Sequence, residues 1–338
     1  MSAKRAILVG AGGMGRTWAR NLTENPKTTV AAWVDINAEQ VSKGIEEVGL
    51  SNVVSDTNLD RVLKDVEADF VVDVSTPESH HDVTIRSLES GLPVIGEKPM
   101  ADSMDHARLA VEACDRTGLL YMVSQSRRYD GRIRAFHELI KSSLGPVQIL
   151  NADFYLGPHF GGFRELMDHV LLLDMAIHTF DQARLLSGAD PISVYCEEYN
   201  PEWSWYAGAA SADASFEMSG GLRFSYRGCW CSEGRHTSWE SDWRAVGGLG
   251  SATWDGFESI SAEVVEKPDG FFSKMKSIDV KPYSVDGGIK GSLNDFLHAL
   301  DSGAKPMGEC HDNIKSLAMV FGAIASAEQG SRVKMSEL

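Results

Sequence analysis

Close to its N-terminus the chain carries an apolar run that ends in a cluster of glycines. Residues 6–15 read Ala-Ile-Leu-Val-Gly-Ala-Gly-Gly-Met-Gly. The short apolar run predicts a buried strand, and Gly10, Gly12 and Gly15 have the G-x-G-x-x-G spacing. In that spacing the glycines allow a tight turn, a close backbone approach to a pyrophosphate, and packing of a helix on the strand. The stretch therefore predicts a strand, a glycine turn and a helix whose N-terminus binds phosphate.

A second apolar run supports this interpretation, because it ends at an acidic residue. Residues 30–34 are apolar and Asp35 follows them, about 20 residues beyond Gly15, where a carboxylate meets the adenosine ribose. A carboxylate there accepts hydrogen bonds from both ribose hydroxyls of NAD and repels the 2′-phosphate of NADP. NAD is therefore the expected cofactor, and NADP is less favoured. The alternative is that Asp35 only caps a turn before Asn37.

The first 124 residues continue to alternate between strand and helix patterns, which predicts a doubly wound parallel sheet. Later strands are predicted at 69–75, 93–96 and 119–124, and helices at 79–90 and 104–117. Ligands of such sheets bind beyond the carboxyl ends of the strands. Ser75, Thr76 and Pro77 follow one strand, and Glu97 and Lys98 follow the next. We expect all five on the same rim as the glycine turn.

Beyond residue 124 the pattern changes to that of an antiparallel sheet. Segments of period two, such as 212–218 and 222–226, are separated by Gly-Gly or Asn-Pro turns. Helices are predicted at 131–143, 293–300 and 313–328, and a strand at 147–155. The fold class is therefore α/β plus α+β, with a dinucleotide-binding domain over 1–124 and a substrate-binding and oligomerisation domain over 125–338.

Composition excludes several classes of partner. A chain of 338 residues, of which 43% are hydrophobic, is longer than a single hydrophobic core usually supports, which predicts two domains. Its formal charge of −16 disfavours nucleic acid and anionic membranes as partners. No apolar run is long enough to span a bilayer and no signal peptide is visible, so the cytoplasm is the expected location. Five cysteines without regular spacing suit a reducing compartment. Cys229 and Cys231 are interpreted as two buried side chains.

The segment 170–186 predicts a buried helix with one polar stripe, Asp174, His178 and Asp181, at positions i, i+4 and i+7. Buried carboxylates need a partner or a function. Oxidising a secondary alcohol requires a group that takes the hydroxyl proton while hydride leaves the carbon. A histidine oriented by an aspartate suits that step, and a lysine, Lys98, is the alternative. Asp174 and His178 could instead form only an internal hydrogen-bonded pair.

Several motifs in order resemble the Gfo/Idh/MocA family, the relatives of glucose–fructose oxidoreductase and inositol dehydrogenase. They are the glycine fingerprint over 10–15, Val34-Asp35, Thr76-Pro77 with His81, Glu97-Lys98-Pro99, Arg128-Tyr129, Asp174-x-x-x-His178-x-x-Asp181, and the late Asp312-Asn313 with Ser316. The resemblance covers nearly the whole chain. It implies a Rossmann domain joined to an open-faced antiparallel sheet that often forms dimers or tetramers, and oxidation of a sugar, polyol or derivative with NAD(P).

The resemblance also implies roles for individual residues. Lys98 would bind the reacting hydroxyl and help to deprotonate it, Asp174 would hold a neighbouring hydroxyl, and His178 would be the acid/base. Arg164 resembles the family's substrate-side arginine, although it could be a surface ion pair. The cofactor set is expected to comprise Gly10, Gly12, Gly13, Met14, Asp35, Ser75, Thr76, Pro77, His81, Glu97 and Lys98.

Two further features concern the substrate site. Many family members have a glycine run before the aspartate, whereas this chain has Asp168-His169-Val170, whose side chains would narrow or recharge the pocket. His159, His169 and His178 share no metal-site spacing, so no metal is expected.

The leading hypothesis is an NAD-dependent dehydrogenase that oxidises a secondary hydroxyl or hemiacetal of a sugar or polyol, as a homodimer or homotetramer. A keto-sugar reductase or a redox-neutral enzyme that retains its cofactor is the alternative within the same class. A catalytically silent NAD-sensing regulatory protein is the alternative from another class, and Lys98, Asp174 and His178 together argue against it.

Overall fold

The computed structural model describes residues 3–338, which divide into two compact units. The first unit contains the chain up to residue 126 together with 289–314, and the second contains 127–288 together with 315–338. The predicted boundary after residue 124 separates a cofactor-binding from a substrate-binding function. The division of the chain into two compact units does not show which unit binds the cofactor and which binds the substrate. The functional boundary after residue 124 therefore stays a prediction.

The first unit contains a six-stranded, wholly parallel sheet, which confirms the predicted Rossmann fold. The strands are β1 Lys4–Val9, β2 Thr28–Val34, β3 Val54–Asp56, β4 Phe70–Asp73, β5 Val94–Gly96 and β6 Tyr121–Val123. Their order is β3-β2-β1-β4-β5-β6. Strands β1 to β3 are therefore added toward one edge of the sheet and β4 to β6 toward the other, so the strand order reverses between β1 and β4. Doubly wound folds bind their ligands at this switch point.

Five helices connect these strands: α1 Gly13–Glu24, α2 Ala38–Val48, α3 Leu59–Asp65, α4 Pro77–Glu89 and α5 Met104–Thr117. The side chain of Asn37 caps α2 by accepting hydrogen bonds from two backbone N–H groups, and Gly118 ends α5 with a φ of 67°. Helix α4 begins at Pro77, two residues before the predicted start at 79. Proline is well suited to the first helical position, where its missing N–H costs nothing.

The second unit is built on a nine-stranded, mostly antiparallel sheet, as expected. The strands are β7 Val147–Tyr155, β8 Pro191–Tyr199, β9 Ser211–Met218, β10 Arg223–Cys229, β11 Asp242–Gly247, β12 Gly250–Trp254, β13 Ile260–Lys267, β14 Lys274–Val280 and β15 Val333–Lys334. Their order is β14-β13-β12-β11-β7-β10-β9-β8-β15. Within this sheet, as described over residues 3–338, β7 and β10 are the one pair that runs parallel.

Alternation along the strands gives this sheet one apolar face and one polar face. On β10, Phe224 and Tyr226 are buried whereas Arg223 and Arg227 are exposed. Helix α6, Gly131–Ser143, packs on the apolar face through Phe136, whose ring lies 5.8 Å from that of Trp254.

The segment predicted as one helix over 170–186 is not a uniform α-helix. Leu171–Ala176 form a π-helix, which continues into α7, Ile177–Ser187. Nothing in the apolar pattern distinguishes π from α hydrogen bonding, so sequence periodicity alone does not predict this turn. Such π segments are rare and frequently occur at functional sites.

Two late helices complete the structure. They are α8, Gly288–Ser302, and α9, Cys310–Gln329, and both are longer than predicted. None of the helices described between residues 3 and 338 combines the length and the apolar composition that a membrane span requires.

Candidate cofactor and substrate sites

The glycine turn between β1 and α1 has the close packing that its spacing predicts. Gly10 has a φ of +102°, and a Cβ atom on it would lie 2.3 Å from the carbonyl oxygen of Val74. A Cβ on Gly15 would lie 2.2 Å from the carbonyl oxygen of Gly10. Both positions therefore require glycine, one for the turn and one for the packing of α1 on the strand.

Gly12 and Gly13 instead border open space. Within the described residues, no atom lies within 4 Å of a Cβ atom built on either of them. Gly12 precedes α1 and offers no side chain to cap it, and Met14 in the first turn is 47% exposed. The first N–H groups of α1 can therefore receive a phosphate, in a cradle that side chains on Gly12 and Gly13 would fill.

Asp35 joins the end of β2 to this turn. Its Oδ2 accepts a hydrogen bond of 2.6 Å from the N–H of Ala11, and its Oδ1 accepts one of 2.8 Å from the N–H of Asn37. The carboxylate thus caps the turn before Asn37 and also holds the glycine turn. A cavity of about 550 Å³ opens beside it and is lined by Gly10, Gly12, Asp35, Ile36, Ser75 and Thr76, among others.

A buried ion pair supports the part of this rim that follows β4. Asp73 is fully buried and accepts hydrogen bonds from the backbone N–H and the hydroxyl of Ser75, at 3.0 and 2.6 Å. Its other oxygen lies 2.9 Å from Nδ1 of His80. Burial alone would lower the pKa of His80, but the charge of Asp73 and the hydrogen bond to it raise that pKa above its usual value. Sequence reasoning missed both residues; the signal was an aspartate inside an apolar strand.

The structure does not place every predicted cofactor residue at this cavity. In the part of the chain that the structure describes, Gly13, Met14, Pro77, His81, Glu97 and Lys98 are not among its lining residues. His81 lies on α4 with its ring stacked on that of His106, 3.6 Å away and nearly parallel. Asp102 lies 2.5 Å from His106. Parallel rings cannot both direct a lone pair at one ion, so this group of three is a poor metal site.

Glu97 and Lys98 follow β5, at the same end of the sheet as Ser75. The indole N–H of Trp18 donates a hydrogen bond of 2.6 Å to Oε1 of Glu97. Burial raises the pKa of Glu97, while that hydrogen bond and the charge of Lys98 oppose the rise. Lys98 precedes a cis peptide bond to Pro99.

In the second unit, Asp174 lies in the π-helical segment and binds Arg164. Nε of Arg164 donates a hydrogen bond of 2.5 Å to Oδ2 of Asp174. The guanidinium also lies over two aromatic rings, 5.1 Å from the centre of Phe160 and 4.8 Å from that of Phe163. Sequence analysis predicted both Arg164 and Asp174, but not that they pair with each other.

Asp181, the third member of the predicted stripe, is part of a buried ion pair. Arg128 donates two hydrogen bonds to its carboxylate, of 2.7 and 2.6 Å, and the hydroxyl of Ser316 donates a third of 2.7 Å. Arg128 and Asp181 are 5% and 1% exposed. The two aspartates thus have different partners, and Asp181 has the structural role that a buried carboxylate requires.

Two of the three histidines considered for a metal, His159 and His169, have separate carboxylate partners in the second unit. Nε2 of His159 lies 3.0 Å from Oε1 of Glu233, and the His159 ring stacks on that of Trp205. His169 lies 2.5 Å from Glu198. The imidazole of His169, in the unusual Asp168-His169-Val170 stretch, is therefore held by the carboxylate of Glu198 on β8.

Comparison with known proteins supports the cofactor and the class of chemistry. A family model described as an oxidoreductase family with an NAD-binding Rossmann fold matches residues 4–125, and the GFO/IDH/MocA C-terminal domain matches residues 133–253. The chain is 28% identical over 349 aligned positions to an uncharacterised protein, y4oX, of Sinorhizobium fredii, covering 98% of this chain and 96% of that one. It is 26% identical over 193 positions to inositol 2-dehydrogenase of Arthrobacter sp., covering 56% of each.

Among solved structures, an oxidoreductase of Agrobacterium radiobacter in complex with NAD⁺, L-tartaric acid and magnesium has the same fold. The TM-score is 0.87 at 20% identity, and the match covers 99% of both chains. With the glycine cradle, these findings define the protein as an NAD-binding oxidoreductase. The chain belongs to the GFO/IDH/MocA family.

Proposed function

We propose that this oxidoreductase is a dehydrogenase that oxidises a secondary hydroxyl or hemiacetal of a sugar, a polyol or a derivative. The observation that carries the proposal is the carboxylate of Asp174, which Arg164 holds on a π turn four residues before His178. An anchored carboxylate accepts hydrogen bonds from a hydroxylated substrate without having to be ordered first. The relative named inositol 2-dehydrogenase supports a polyol as the substrate class.

The residues of the first unit fit NAD. The open space at Gly12 and Gly13 suits the pyrophosphate, and the carboxylate of Asp35 suits the adenosine ribose. NAD bound there would supply the acceptor for the hydride that leaves the substrate carbon. Gly10, Ser75 and Thr76 complete the rim, and we assign Gly13, Met14, Pro77, His81 and Glu97 to the same cofactor set.

The proton of the reacting hydroxyl is assigned to two groups of this chain. Lys98 binds the hydroxyl and favours its deprotonated form by charge, and His178 takes up the proton. Asp174 and Arg164 hold neighbouring hydroxyls, which fixes which carbon loses hydride. Proton transfer by a positioned side chain contributes about 10²- to 10⁴-fold to a rate.

A panel of substrates with charge-matched variants tests the proposal. We expect the wild type to form NADH with at least one of a set of pentoses, hexoses and inositols. Lys98→Met lowers kcat by about 10²- to 10⁴-fold and leaves the Kd for NAD nearly unchanged. Lys98→Arg keeps the positive charge that favours the deprotonated hydroxyl, so its kcat should fall less than that of Lys98→Met.

His159→Gln is the matched control for His178→Gln, because His159 also lies in the second unit and pairs with a carboxylate, Glu233. Only His178→Gln should flatten the dependence of kcat on pH. Full activity of Lys98→Met would contradict the assignment of Lys98, and a large loss of NAD affinity would make it a cofactor residue only. Tight NAD binding by the wild type without turnover in either direction would favour the sensor.

A further inference from the structure

His169 lies just before the π-helical segment that carries Asp174, and the proposed function gives it no role. The segment comprises Leu171–Ala176. The carbonyl oxygen of His169 accepts a hydrogen bond of 2.9 Å from the N–H of Leu173, so the first turn of the segment is joined to His169. The direction of the Asp174 carboxylate therefore depends on where the backbone at His169 is held.

The position of a π turn matters because it decides where the side chains around it point. An α-helix has about 3.6 residues per turn, so moving the π turn past a residue turns that side chain by up to about 100° around the helix axis. A misplacement of about 1 Å can already cost about 10²-fold in rate. An anchor at the start of the segment therefore bears directly on the role proposed for Asp174.

The side chain of His169 is anchored to strand β8 by a buried carboxylate. Nδ1 of His169 lies 2.5 Å from Oε2 of Glu198, whose side chain is 4% exposed. Among the residues described from 3 to 338, none donates a hydrogen bond to the other oxygen of Glu198, Oε1, which is also buried. Burial raises the pKa of Glu198, and the hydrogen bond and charge of His169 oppose the rise. The buried carboxylate thus depends on His169, and breaking the pair would leave it uncompensated.

A second contact of His169 adds little to this anchor. Nε2 of His169 lies 3.7 Å from Oε1 of Glu328 on α9, whose side chain is 63% exposed. Exposed ion pairs of this kind contribute little to stability. The anchor of His169 is therefore the contact with Glu198.

The backbone just before His169 is held as well. The N–H of Ala209 donates a hydrogen bond of 2.7 Å to the carbonyl oxygen of Asp168. A Cβ atom on Gly208 would lie 1.9 Å from that same oxygen, so the two stretches of backbone are in direct contact. The contact between His169 and Glu198 follows one residue later and continues this attachment up to the π segment.

We propose that His169 and Glu198 are positioning residues that fix the π segment on the sheet, so that Asp174 holds the hydroxyl next to the reacting one. The inference rests on the proposed function, which assigns Asp174 to the substrate. The pair acts on Asp174 through the backbone between residues 169 and 174. Its loss should therefore change which carbon of the substrate loses hydride, and not only the rate or the stability of the fold.

Kinetics and product analysis test this role with a polyol that the wild type oxidises. His169→Ala and Glu198→Ala should each lower kcat/KM by about 10²-fold, and carbon-13 NMR of the products should show carbonyl groups at more than one carbon. The Kd for NAD should stay unchanged, because the expected cofactor residues lie in the first unit. His169→Asn should restore most of the activity and the single product. Its amide nitrogen is as many bonds from Cα as Nδ1 of histidine and can donate to the same carboxylate.

Glu197→Ala is the matched control for Glu198→Ala. Glu197 is the preceding residue of β8 and is exposed, since successive side chains of a strand point to opposite faces. It also accepts a hydrogen bond, of 3.2 Å, from the hydroxyl of Tyr195. Glu197→Ala should leave kcat/KM and the product unchanged. If Glu198→Ala does not fold, Glu198→Gln takes its place, because it keeps an oxygen for His169 and removes the buried charge; it should give a smaller change of the same kind.

A second measurement needs no turnover. Nε of Arg164 donates a hydrogen bond of 2.5 Å to Oδ2 of Asp174, which should protect the Nε–H from exchange with water. The NMR signal of this group, assigned by its loss in Arg164→Lys, should be present in the wild type and in His169→Asn and lost to exchange in His169→Ala. A wild type that oxidises no member of the substrate panel would contradict the proposed function, and the Arg164 signal would then decide the positioning role by itself.

Three results would overturn the proposal. The first is an Arg164 signal that is the same in His169→Ala as in the wild type. The second is a fall of kcat/KM in the alanine variants without any change in the carbon that is oxidised, which would leave the pair a role in stability only. The third is a wild-type kcat/KM in both His169→Ala and Glu198→Ala.

Discussion

Asp35 should decide both the affinity for NAD and the preference over NADP, and its removal can be analysed in two parts. One carboxylate oxygen holds the N–H of Ala11 at 2.6 Å and the other holds that of Asn37 at 2.8 Å. Each oxygen has a further lone pair that can accept from a ribose hydroxyl. Asp35→Ala therefore removes ligand contacts and also leaves the N–H of the buried Ala11 without its acceptor.

The two losses have similar magnitudes but different readouts, the affinity for NAD and the stability of the fold. One hydrogen bond to a charged group contributes about 1.5–3 kcal/mol, so the loss of even one ribose contact should raise the Kd for NAD by about 10- to 150-fold. The unsatisfied N–H of Ala11 should cost about 1–3 kcal/mol of stability. For NADP the loss is offset, because the carboxylate that repels the 2′-phosphate is gone.

Calorimetric titration of NAD and NADP into three variants separates these effects. Asp35→Asn keeps an oxygen for the N–H of Ala11, but its NH2 group cannot accept from the N–H of Asn37. It should therefore weaken NAD less than Asp35→Ala and restore only part of the stability. Asp56→Asn is the matched control: Asp56 ends the neighbouring strand, β3, and accepts from the N–H of Asn58 as Asp35 does from that of Asn37. Asp56→Asn should leave both Kd values unchanged.

The ratio of the two Kd values is the decisive quantity. If Asp35→Ala weakens NAD and NADP by the same factor, Asp35 acts only through the glycine turn and the ribose is held elsewhere. A ratio that shifts equally in Asp56→Asn would assign the preference to the general charge of this region.

Three further predictions concern stability. Asp181→Asn removes the charge that faces the buried Arg128 and should destabilise the second unit by about 3–5 kcal/mol, measured as a fall of its melting temperature by about 6–20 °C; a fall under about 2 °C would contradict it. Arg128→Met with Asp181→Leu should recover most of this loss, since burying neither charge costs less than burying one. The pKa of His80 is raised by Asp73, so the stability that His80 contributes is fully present below pH 6.5 and is lost as pH rises through its folded pKa. The difference in unfolding free energy between wild type and His80→Gln should therefore shrink at alkaline pH, and a constant difference would refute this.

The features that could be predicted from sequence are those that local sterics determine. Gly10 and Gly15 are required because a Cβ atom would collide with a backbone oxygen at 2.3 and 2.2 Å. Helix α5 and strand β7 have the predicted bounds, because caps, glycines and alternation are local signals. The order of the strands in the parallel sheet is likewise restricted, because crossovers between parallel strands are right-handed.

The features that were missed depend on which side chains the fold brings together. Asp174 and Asp181 have the spacing of one stripe, yet the first binds Arg164 and the second binds Arg128 and Ser316. No local pattern encodes those choices, because Ser316 is 135 residues from Asp181. The π turn that contains Asp174 is equally invisible to apolar periodicity.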